Sequence, residues 1–165
     1  MNPRPSGELR QSSAGRDLIL VRAFDAKLDE VWAMLTESDR TGLWFATWEG
    51  EAAAGNTIEF TMTFEQGATA QKMTIVACEP PRHLEVQAAD EYGSWHLEIN
   101  LVAQGAGTSM QFTHHLDASA KLGEIGPGWE YYLDNLMAAH QGSSLPNFDD
   151  YFPSQQPFYE MLERS

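Results

Sequence analysis

From Ile58 to His114 the chain alternates apolar and polar residues in successive short runs, and this pattern restricts the fold more than any other feature. Ile58, Phe60, Met62 and Phe64 are interleaved with Glu59, Thr61, Thr63 and Glu65. Leu84, Val86 and Ala88 alternate next, Trp95, Leu97, Ile99 and Leu101 oppose His96, Glu98 and Asn100, and Met110, Phe112 and His114 share one phase. A period of two gives a strand one greasy and one wet face. Gly67 and the run from Gln104 to Gly107 supply turns. Pro80-Pro81 ends a strand expected over residues 69–78, because proline offers no ladder N–H. These hairpin-like spacings predict an antiparallel meander.

The flanking segments change period. After a β-favouring stretch, Leu18 to Phe24, the residues Leu28, Val31, Trp32 and Leu35 fall on one helical face, with Asp29 and Glu30 in the first turn. Ser38 is placed to open a second short helix, Asp39 to Phe45. Trp129, Leu133, Leu136, Met137 and His140 share a face of a long helix expected to begin near Pro127 and stop at Gly142. The expected fold is α+β: a curved antiparallel sheet of about six or seven strands around the long helix, with two short helices after the first strand. The organisation expected is a flexible arm over residues 1–16, one domain over 17–142, and an aromatic, proline-containing extension over 143–165 that packs on it.

Composition removes several functions. A net charge of −14 opposes phosphate-backbone binding, so nucleic acid is not an expected partner. No apolar run reaches the roughly 20 residues of a membrane-spanning helix. The single Cys78 allows no internal disulfide and fits a reducing, cytoplasmic setting, with the thiol buried and inert. His83, His96 and His140 lie on separate elements without a recognised metal spacing, so neither a metal site nor a cofactor is expected. The acidic pairs Asp29/Glu30, Asp90/Glu91 and Asp149/Asp150 fall at helix starts or loops, where solvation accounts for them.

Three segments carry a resemblance: Val31-Trp32-Ala33-Met34-Leu35-Thr36, Leu43-Trp44-Phe45, and Gly128-Trp129-Glu130-Tyr131-Tyr132-Leu133-Asp134-Asn135-Leu136, with Met110-Gln111-Phe112-Thr113-His114 ending the meander between them. With these, the region from Leu18 to His140 resembles the START-like (SRPBCC, helix-grip) superfamily, and within it the branch of activators of the heat-shock-protein-ninety ATPase. The eukaryotic activator has a further amino-terminal domain that residues 1–16 do not supply, so a stand-alone domain is expected. The resemblance implies an apolar cavity beneath the long helix.

The side chains expected to line that cavity are Phe60, Met62, Met73, Trp95, Phe112 and Trp129, since methionine fills irregular space and aromatic rings bury large areas. Tyr132 is a candidate polar handle. His114 is the one weak catalytic candidate, as a proton carrier facing the hollow; a hydrogen-bonded histidine at a strand end is the alternative. His115 is expected to face outward, and Trp32, Trp44 and Trp48 to serve as scaffold. The leading function is binding of a small hydrophobic molecule by a monomer or homodimer. The alternatives are a protein-interaction module with an acidic exterior, and a cyclase- or hydratase-like enzyme using the same cavity.

Overall fold

The computed structural model describes residues 3–90 and 93–164. The elements are β1 (Glu8–Ser12), β2 (Gly15–Phe24), α1 (Leu28–Thr36), α2 (Ser38–Thr41), β3 (Ala46–Glu49), β4 (Thr57–Met62), β5 (Gln71–Glu79), β6 (His83–Asp90), β7 (Gly93–Gln104), β8 (Gly107–Leu116), α3 (Leu122–Gln141) and α4 (Gln156–Arg164), with a single 3-10 turn at Phe148–Asp150. The fold is α+β. Among the described residues, eight strands form one antiparallel sheet in the order β1-β2-β8-β7-β6-β5-β4-β3.

The alternating runs become the inner face of this sheet. Ile58, Phe60 and Met62 of β4, Met73 and Ile75 of β5, Val86 of β6, Leu97, Ile99 and Leu101 of β7, and Met110 and Phe112 of β8 are all buried in one core. That core also receives Val31, Met34 and Leu35 of α1 and Trp129, Leu133 and Leu136 of α3. Burying both helix stripes on one sheet face leaves the other face polar. Ser38 ties the corner together, because its hydroxyl accepts from the N–H of Trp48 at 2.8 Å and donates to the Trp48 carbonyl at 2.7 Å.

The strand count exceeds the expected six or seven, partly because a strand, Glu8–Ser12, lies within residues 1–16. Glu8–Ser12 pairs with β2 in register from Glu8 opposite Ile19 to Ser12 opposite Gly15. Leu9 is the only large apolar side chain of β1, so no alternation announces the strand; backbone pairing along β2 holds it instead. The helix expected near Pro127 starts at Leu122, with the proline inside it. Pro127 removes one backbone bond, but Leu122 is fully buried and its N–H donates to Glu163 of α4, which retains the extra turn. The second short helix ends at Thr41 rather than Phe45, where Gly42 caps it. Asp29/Glu30 sits in the first turn of α1 and Asp149/Asp150 in the 3-10 turn; in the pair Asp90/Glu91, Glu91 lies outside the described residues.

Both chain ends converge on α3 through one buried carboxylate. Glu130 is 1% exposed. It accepts from the Ser6 hydroxyl at 2.9 Å, the Arg22 guanidinium at 2.9 Å and the Tyr159 hydroxyl at 2.6 Å. Tyr159, on α4, in turn accepts from the N–H of Gly7 at 3.1 Å. Gly126 permits the contact, since a Cβ there would lie 2.4 Å from the Tyr159 ring. Arg22 also meets Asp134 at 3.2 Å, and Asp134 accepts from Tyr151 at 2.7 Å.

Candidate ligand cavity

A cavity of about 410 Å³ lies between the inner sheet face, α1, the α2–β3 corner and the Trp129 turn of α3. Its walls pair side chains two apart on neighbouring strands: Ile58 with Phe60, Met73 with Ile75, Leu84 with Val86, and Leu97 with Ile99. Phe112 and Trp129 add to the lining from β8 and α3, Trp32, Leu35, Trp44 and Phe45 from α1 and the α2–β3 corner, and Trp48 from the edge strand β3. Two indoles are fixed by their own N–H groups. Trp44 Nε1 donates to the Met34 carbonyl at 2.9 Å, and Trp48 Nε1 donates to the Thr36 carbonyl at 3.0 Å. The N–H groups of these two indoles are thereby turned away from the cavity and their faces are left to it.

A bulge sets one wall. Between Ile75 and Ala77 the pairing of β5 with β6 slips by one residue, leaving Val76 as the extra. The slip reverses the phase of everything beyond it, so Cys78 lines the cavity opposite Leu84 while Glu79 turns to the outer face. Cys78 is half-buried, and burial pushes its thiol above the usual range, away from the reactive thiolate. The polar lining is sparse: Thr36, Thr41, Cys78, and the exposed Glu37 on the side of α1 and α2. Both threonine hydroxyls already donate, Thr36 to the Trp32 carbonyl at 2.7 Å and Thr41 to the Ala46 carbonyl at 2.6 Å.

The expected site residues divide. Phe60, Met73, Phe112 and Trp129 line the cavity. Met62 is buried in the same core but beyond the lining. Trp95 stands behind Trp129, with ring centroids 5.6 Å apart, and also meets Phe45 and Phe60 at 6.3 Å. Tyr132 packs edge-on against Phe45 at 5.2 Å, outside the cavity, where burial raises its phenol. His114 faces inward and is 2% exposed, but it lies behind the indole of Trp129, and its Nδ1 accepts from Trp129 Nε1 at 3.0 Å. Burial drives its pKa down to about 4, so the ring is neutral at pH 7 and its bond to Trp129 fixes the proton on Nε2. Its nearest role is to hold the Trp129 wall of the cavity. Trp32, Trp44 and Trp48, expected as scaffold alone, are also walls.

The activator of Hsp90 ATPase homolog 1-like protein family matches residues 25–141 of the chain. The chain belongs to that family. The match runs from just before α1 to the last residue of α3, and so contains every residue that lines the cavity. Among solved structures, this family member is similar to CalU16 from Micromonospora echinospora, at 28% identity over 98% of both chains with a TM-score of 0.76. A protein encoded by gene BPP1335 of Bordetella parapertussis shares the fold at 22% identity, covering 99% of this chain and 94% of that one, with a TM-score of 0.72. DynU16, of the dynemicin biosynthetic locus, shares the fold at 15% identity over 80% of this chain and 50% of its own, with a TM-score of 0.68. No curated protein matches the sequence. Among the described residues, no helix is long and apolar enough to cross a membrane.

Proposed function

We propose that the chain binds one small, largely apolar molecule in this cavity. The observation that supports the reading is an apolar space of about 410 Å³ in which the indole N–H groups of Trp44, Trp48 and Trp129 are already bonded to protein acceptors. That volume falls in the range of roughly 300–1,000 Å³ usual for small-molecule sites. Complete burial of about fifteen carbons contributes roughly 12 kcal/mol at about 0.8 kcal/mol per carbon. Against an association cost of at least about 4 kcal/mol, this leaves micromolar affinity or thereabouts. Glu37, on the side of α1 and α2, suits a ligand with one polar end and a bulky hydrocarbon or aromatic body, and the Thr36 hydroxyl, whose proton goes to the Trp32 carbonyl, can still accept from that end. The half-buried free thiol of Cys78 fits a reducing compartment, and the cytoplasm is the location that follows.

Four cavity-lining indoles make the protein its own reporter. Titration with apolar ring compounds should shift or quench tryptophan emission saturably at one equivalent, and native mass spectrometry should show a 1:1 adduct. Emission that drifts without saturation across neutral, anionic and cationic members of such a set would count against the reading.

A further inference from the structure

The outer face of the sheet, remote from the cavity, gathers the histidines that the sequence scatters. Residues of the outward phase bring His83 and Glu85 of β6 beside Glu98 and His96 of β7, with His115 of β8, Asp17 of β2 and the bulge-reversed Glu79 of β5 around them. Glu85 and Glu98 are direct partners across the β6–β7 pair. Two carboxylates in that relation repel each other unless a cation is shared between them. Spacing along the chain hid this group because its members are joined by strand register, not by sequence neighbourhood.

We propose that His83, Glu85 and Glu98 form a Zn²⁺ site. One ring nitrogen and one carboxylate oxygen from each acid lie within 4.8 Å of one another. Zinc bonds of about 2.0–2.2 Å in a tetrahedron set ligand atoms somewhat over 3 Å apart, so side-chain rotations on fixed strands suffice to close the site. Each ligand also has an outer partner that aims it. Glu79 accepts from His83 Nδ1 at 2.7 Å, which leaves Nε2, 2.6 Å from Glu98, as the nitrogen that exchanges its proton for the metal. His115 holds the other oxygen of Glu98 at 2.9 Å and is itself held by Asp17 at 2.8 Å. His96 meets Glu85 at 2.5 Å. A carboxylate behind a ligating imidazole is the arrangement that fixes the metal-binding tautomer. The three ligand side chains are 20–25% exposed, so water can complete the coordination. The imidazole ligand, with only two carboxylates, favours zinc over magnesium or calcium.

The test is calorimetric titration of Zn²⁺ into the untagged full chain in a non-coordinating buffer at about physiological ionic strength, where diffuse attraction by the acidic surface is screened. One saturable site is expected, not displaced by excess Mg²⁺, and weakened at least about tenfold by both H83Q and E98Q. Histidine ring ¹⁵N spectra of the wild-type chain read the same ligand with no substitution, and Zn²⁺ should move His83 Nε2. Failure to saturate would overturn the proposal. So would equal competition by Mg²⁺, or a zinc response confined to His140. None of these results bears on the cavity, whose occupancy is read by tryptophan emission.

Discussion

Acidification from pH 7.5 to 4.5 should destabilise the protein through one buried ring, His114. In the folded chain burial lowers its pKa from 6.5 to about 4. The unfolded chain therefore binds a proton first, and stability is lost as the pH falls. The contribution is fully present above about pH 6.5 and is lost progressively down to about pH 4. A shift of this size corresponds to about 3 kcal/mol in all, of which about 2.5 kcal/mol is gone by pH 4.5. The groups that face the ring are mixed: Asp117 and the Ser94 backbone favour the proton, whereas His115 and His96 oppose it. Urea unfolding of wild type and His114→Gln across this range isolates the effect, because the carboxylates that titrate in the same window are common to both. Glutamine can still accept from Trp129, so the comparison removes titration while keeping the bond. The wild type should lose about 2.5 kcal/mol more than the variant on going to pH 4.5. Parallel loss in both proteins would refute the assignment of a neutral, buried imidazole behind Trp129.

Glu130→Ala should cost about 3–5 kcal/mol in urea unfolding, since it removes the buried partner of Arg22, leaving that guanidinium only Asp134, and deprives Ser6 and Tyr159 of their acceptor. Gly126→Ala places a Cβ 2.4 Å from the Tyr159 ring and should cost about 1–3 kcal/mol. Hydrogen exchange should show that loss concentrated in α4 and the β1 edge, with β6 and β7 unchanged. Trp44→Phe should lower stability by about 1–3 kcal/mol, because the Met34 carbonyl loses its side-chain donor in a buried setting; thermal unfolding beside the wild type reads it.

The alternating runs made the inner face legible. In β4, β6, β7 and β8 the apolar residues in phase are the ones that reach the core, fully buried or, as with Leu84, Ala88 and Trp95, half-buried against it. The same alternation held the signal for Ile58, Leu84, Val86, Leu97 and Ile99 as cavity walls beside Phe60, Met73 and Phe112. Three things were not legible for physical reasons. β1 is held by backbone pairing and by Ser6 and Gly7 contacts to α3 and α4, none of which requires apolar alternation. The β5 bulge reverses phase after Ile75, so counting by twos assigns Cys78 and Glu79 to the wrong faces. The indoles of Trp44 and Trp48 look like packing because their N–H groups do brace the backbone, and only the assembled fold places the opposite side of each ring against empty space. His114 fell between, since its inward direction follows from its phase but the indole screening it from the cavity comes from a helix fifteen residues away.

Whether the cavity admits a guest can be measured directly. A neutral fluorescent naphthylamine can be titrated into wild type and into Val86→Trp, which projects an indole into the cavity from the centre of β6 while far-UV circular dichroism verifies the sheet. The wild type should bind one equivalent at about micromolar dissociation constant, and the filled variant should lose that binding. Equal enhancement by both proteins, or none by the wild type, would contradict a ligand site between the inner sheet face and Trp129.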